Sequence, residues 1–140
     1  MTGLNTIDAK GNEHEFEVLI EDFIHNKYAG KSYRIKLKTD KFWKSFNFDI
    51  LFINDERILI YRLNNNGFEE VSNKGIVKAM IEVIRKEYAM TIVSSTNIEN
   101  EKIDETEGRV GDVNKYWNKW YRENSKISYN QKEDRFIYAL

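Results

Sequence analysis

The chain has 140 residues, of which 32% are charged and 14% aromatic, with a formal net charge of −1 and no cysteine. That balance excludes disulfide frameworks, thiolate metal sites and cysteine nucleophiles, and a near-neutral chain without a long basic run is not expected to bind nucleic acid. The length suits a single domain over residues 1–140, and no apolar run approaches a membrane span, so a cytoplasmic protein is expected.

A short strand is expected near Leu4–Ala9. Residues 12–28 then place Phe16, Leu19, Ile20, Phe23, Ile24 and Tyr28 at helical spacing, with Asn12 and Glu15 as a capping box and Ala29–Gly30 as a stop, which predicts a first helix. "SYRIKLK" alternates Tyr33, Ile35 and Leu37 as a half-buried strand. "FNFDILFI" at 46–53 sets Phe46, Phe48, Ile50 and Phe52 on one side and Leu51 and Ile53 on the other, a strand covered on both faces. "NDE" turns the chain into an antiparallel partner over 57–63.

After the break at Asn64–Gly67, a helix is predicted from Gly75 to Tyr88 with Val77, Met80, Ile81, Ile84 and Tyr88 on its apolar face. A short strand follows at 90–95, then a polar, acidic and aperiodic loop at 97–109 that reads as mobile. A third helix, 111–124, carries Val113, Tyr116, Trp117, Trp120 and Tyr121 in a stripe. Two strands at 126–129 and 135–140 close the chain as a hairpin. The order (β)-α-β-β-β-α-β-α-β-β predicts an α+β fold, a mixed and mostly antiparallel sheet with helices on both faces.

That order resembles the GNAT superfamily of acyl-CoA-dependent N-acyltransferases along nearly the whole chain. The resemblance implies acetyl-CoA or another acyl-CoA as co-substrate, and an amine as acceptor. In the family, a loop reading Q/R-x-x-G-x-G/A binds the cofactor pyrophosphate through backbone N–H groups. It falls here on Ser72, Asn73, Lys74, Gly75, Ile76 and Val77, with Ser72 in place of Gln or Arg and Val77 in place of the final small residue. A helix N-terminus suits such an anion because its first N–H groups are unpaired and its dipole is positive. Ser94 and Ser95, at the end of the fifth strand of the family's order, are placed to hold the pantetheine arm. "VNKYWNKWYREN" resembles the family helix whose Tyr acts as general acid. Trp117 stands where that Tyr would be, and an indole has no acid function, so Tyr116 becomes the candidate.

Glu69 and Glu70 are the candidates for deprotonating the amine, provided that burial raises a carboxyl toward neutrality. The departures at Ser72, Val77 and Trp117 carry an alternative: a catalytically inactive GNAT-like fold acting on a protein partner through the 97–109 loop and the aromatic helix. A nucleic-acid surface at Lys115, Lys119, Arg122 and Lys126 is a third and weaker reading. His14 and His25 lie eleven residues apart, and the Asp22/His25 pair lacks further ligands, so no metal site is expected. Oligomeric state has no signature in the sequence.

Overall fold

The computed structural model describes residues 2–109 and 112–140. Five strands come first: β1 (Gly3–Ile7), β2 (Glu13–His25), β3 (Tyr28–Leu37), β4 (Ser45–Phe52) and β5 (Arg57–Asn64). Helix α1 (Ile76–Tyr88), strand β6 (Thr91–Val93), helix α2 (Asp112–Glu123) and strands β7 (Ile127–Asn130) and β8 (Arg135–Tyr138) complete the chain. The first residue of the predicted third helix, Gly111, lies outside the described residues. All eight strands form one sheet in the order β1-β2-β3-β4-β5-β6-β8-β7. Among the described residues only β5 and β6 pair in parallel, through the α1 crossover.

The predicted helix over 12–28 is instead strand β2, which pairs with β3 from Phe16↔Leu37 to His25↔Tyr28. The same residues satisfy both periods: Phe16 and Val18 are buried in the sheet's core face, and Leu19, Ile20 and Ile24 are exposed. Val18, Ile20 and Ile24 are β-branched and favour the pleated chain, while ten cross-strand pairs with β3 supply a ladder that a helix would forgo. Asn26, at φ +55°, makes the turn in the left-handed region that asparagine tolerates.

Strand β4 is covered on both faces, as its sequence predicts. Phe48 and Ile50 join the main core, and Leu51 joins a smaller one with Leu59, Tyr61 and Val93. Both helices pack on the main-core face: Ile76, Met80, Ile81 and Ile84 of α1 and Trp117 of α2 belong to one cluster with Ile58, Ile92 and Phe136. Each such side chain contributes about 1.5–3 kcal/mol of burial. Among the described residues, the expected helix on the other face is therefore not found. That face carries the smaller core, against which Phe23 and Tyr28 from the β2–β3 hairpin and Ile103 from the 97–109 loop pack. Gly30 makes this closure fit, since a Cβ there would lie 2.6 Å from the Phe23 ring and 2.7 Å from the Ile50 carbonyl oxygen.

In β5 one extra residue interrupts the ladder. Ile60 faces Ile50 and Arg62 faces Asp49, leaving Tyr61 as a bulge residue turned into the smaller core. The 97–109 loop, read as mobile from its polarity, is anchored by Glu107, which is only 2% exposed. Its carboxylate accepts from Arg135 at 2.8 Å, from the Thr96 amide at 2.7 Å and from the Ile103 amide at 2.9 Å.

Candidate functional site

The Ser72–Val77 segment enters α1 through two residues in the left-handed region, Asn73 at φ +55° and Gly75 at φ +79°. Strand β1 lies against it. The Thr6 hydroxyl donates to the Lys74 carbonyl at 2.5 Å, and a Cβ on Gly75 would sit 2.5 Å from the Ile7 carbonyl oxygen. Glycine is therefore required here by the approach of a strand as well as by its φ. Ile76 is buried, and Val77 packs on the main core. The valine that stands in the family's small-residue position thus turns inward. No side chain caps the α1 N-terminus, and no acid lies in its first turn.

Tyr116 reaches this segment. Its phenol donates to Asn73 Oδ1 at 3.1 Å, which brings the predicted acid beside the predicted cofactor loop. Burial, with Asp112 nearby, pushes its pKa up and keeps it protonated.

Glu69 and Glu70 lie in a single 3-10 turn, Glu69–Val71, and both are exposed. Lys44 Nζ is 3.1 Å from Glu70. The Glu70 backbone amide and the Lys44 ammonium hold that carboxyl below its ordinary value. This is opposite in direction to what a general base at neutral pH needs.

Ser94, Ser95 and Thr96 are buried, and their polar groups are occupied from within. Ser95 Oγ donates to the Ile60 carbonyl at 2.7 Å, bridging β5 and the chain beyond β6 where the parallel ladder has ended. Ser94 Oγ donates to the Ser95 carbonyl and accepts from the Phe136 amide at 2.9 Å. Thr96 Oγ1 donates to the Glu133 carbonyl at 2.7 Å. Arg109 donates to the Ser95 carbonyl at 2.7 Å and pairs with Asp134 at 2.6 Å, while Arg135 donates to the Ser94 carbonyl at 2.8 Å. The structure therefore joins Asn73–Val77 with Tyr116, leaves Glu69 and Glu70 on the surface, and spends Ser94 and Ser95 on holding strands together.

Compared with known proteins, the chain matches no family model, no curated protein and no solved structure.

Sequence reasoning missed three polar arrangements. The first is the Glu107–Arg135 and Arg109–Asp134 pair of ion pairs, whose members lie far apart in the chain. In the second, Asp104 binds His25 of the hairpin tip and accepts from Tyr61 at 2.6 Å, and Tyr61 meets Thr106 Oγ1 at 2.6 Å. Burial opposes ionisation of Asp104, but bonds from Tyr61, Thr106 and His25 outweigh it and hold the carboxyl well below its usual range. The third is a cavity between α1 and α2 with Glu82 and Glu123 in its wall. Among the described residues, no group of three or more His, Asp or Glu side chains is placed to hold a metal ion. No helix there is long and apolar enough to cross a membrane.

Proposed function

We propose that this chain is a GNAT-like domain working as a protein-interaction module, without assembled transfer chemistry, and that its partner adds an extended strand to the open edge of β2. What supports the GNAT-like part is the run β5–α1–β6 with its parallel pair, followed by α2 and the closing β7–β8 hairpin.

The observation that carries the binding mode is the edge itself. β1 covers β2 only as far as Glu17, with one further bond from the Val18 amide to the Thr2 carbonyl. Beyond it, Leu19, Ile20 and Ile24 are 47%, 38% and 80% exposed, on a strand whose second side has no partner among the described residues. Such an edge is a template for strand addition. Its exposed acids, Glu21 and Asp22, lean on Arg34 and Lys31 of β3. Two copies paired antiparallel about this stretch would oppose acid to acid, so a different chain with apolar and basic residues is the better complement.

Selection of extended peptides from a random library against the folded protein tests this. Enriched sequences alternating apolar with Lys or Arg, whose binding slows hydrogen exchange at the Ile20, Asp22 and Ile24 amides, are the expected result. Enrichment that survives Ile20→Lys with Ile24→Lys, or no enrichment, contradicts it.

A second reading, an N-acyltransferase using acetyl-CoA, is favoured by one contact: the Tyr116 phenol on Asn73 beside an α1 N-terminus with no side-chain cap. A thermal-shift titration separates the two, since a ligand at 100 times its Kd adds about 2.7 kcal/mol. A saturable shift with acetyl-CoA, weakened by Lys74→Glu, supports transfer. No shift at millimolar concentration leaves the interaction module.

A further inference from the structure

Between α1 and α2, on the main-core face, lies a cavity of about 380 Å³, within the range of small-molecule sites. Its apolar surface comes from Ile81, Ile127 and the Trp120 ring, and two carboxylates, Glu82 and Glu123, stand in its wall. We propose that this cavity binds a small organic cation, an aliphatic amine carried as its ammonium, over the Trp120 ring and between the two carboxylates.

Three features point to that chemistry. The first is uncompensated charge. Among the described residues neither carboxylate lies within 4 Å of a cationic side chain, and the one cation in the wall, Lys78, is paired with neither. Two acids against one lysine leave the site net negative.

The second is that Glu82 is aimed. Tyr138, nearly buried, donates its phenol to Glu82 Oε1 at 2.7 Å and accepts from Asn124 at 3.2 Å. Arg85, three residues along α1, is held elsewhere: its guanidinium lies 4.3 Å from the Tyr138 ring centroid, and its Nε donates to the Ala139 carbonyl at 2.9 Å.

The third is a fixed aromatic wall. Trp120 stands edge-to-face on Trp117 at 5.3 Å and stacks on Tyr116 at 6.0 Å, so its ring is positioned before any ligand arrives. An ammonium group over an indole gains from the ring quadrupole, most strongly when partly desolvated. Carboxylates beside it supply the counter-charge and reject anions.

The test is calorimetry and tryptophan fluorescence with butylamine, putrescine and tetramethylammonium, against butanol as the uncharged isostere. Saturable binding of the cations with quenching or enhancement of tryptophan emission, and none of butanol, is expected. Glu82→Gln and Glu123→Gln should each weaken binding about tenfold, the loss of one charge-assisted contact. Glu123 is exposed, so Glu123→Gln is the informative variant should Glu82→Gln disturb folding. The absence of saturable binding, equal affinity for butanol, or affinity unchanged in Glu123→Gln at an unchanged melting temperature would each overturn the proposal. Binding is measured without any thioester, so its failure is distinct from a failure to bind acetyl-CoA.

Discussion

Glu107 is an acid in a segment whose composition reads as surface, yet its side chain is fully buried, and Arg135 is nearly so. Breaking a buried pair leaves an uncompensated charge. Arg135→Met is therefore expected to cost about 3–5 kcal/mol, read from urea unfolding, with a smaller loss when Glu107→Gln is combined with it. Gly75 is held by geometry of another kind. Gly75→Ala meets both a positive φ and the Ile7 carbonyl, and should destabilise by about 1–3 kcal/mol, a loss independent of any ligand. Ser95→Ala, which removes the bridge to the Ile60 carbonyl, should cost about 1–2 kcal/mol. Stability loss from Ser95→Ala marks that hydroxyl as structural, and an unchanged melting temperature would return it to the candidate ligand groups.

Among the elements, the 97–109 loop and the β2–β3 hairpin are joined through Asp104, His25 and Tyr61 over the smaller core. A carboxyl held lower in the folded than in the unfolded chain stabilises the fold above its unfolded value, about 3.9 for Asp. That contribution is lost as pH falls through the folded value. Hydrogen exchange of the loop amides should therefore quicken as pH drops below about 4, after correction for intrinsic exchange, and Asp104→Asn should show the faster opening already at neutral pH. Equal opening in both proteins would mean that the Asp104 contacts do not hold the loop. The open stretch of β2 behaves differently. Ile24→Lys removes no buried contact, so it should change stability by less than about 0.5 kcal/mol while weakening strand addition.

At the scale of the whole molecule, the sequence made most of the strands and both long helices legible and hid one strand, β2. Strands β4 and β5, helices α1 and α2 and the closing hairpin have periods that admit one reading, and Asn54, whose side chain accepts from the Glu56 and Arg57 amides, marks its turn plainly. Residues 13–25 do not. Phe16, Leu19, Ile20, Phe23 and Ile24 fit a helix as well as a strand, and the choice is made by the ladder with β3, the next strand of the hairpin, which the period of residues 13–25 does not show. The candidate site was legible in part. Tyr116 and Asn73 meet, whereas the burial of Ser94 and Ser95 depends on Arg109, Asp134 and Arg135, whose partners no spacing reveals. The cavity was hidden for the same reason, since Glu82 and Glu123 sit on different helices.

The most direct measurement is an amide-resolved NMR titration of the folded protein with acetyl-CoA. An interaction module without a cofactor site predicts no saturable shifts at Gly75–Lys78 or at Ser94–Thr96 up to millimolar ligand. Saturable shifts at both segments together would contradict it and place an acyl-CoA between β5 and β6.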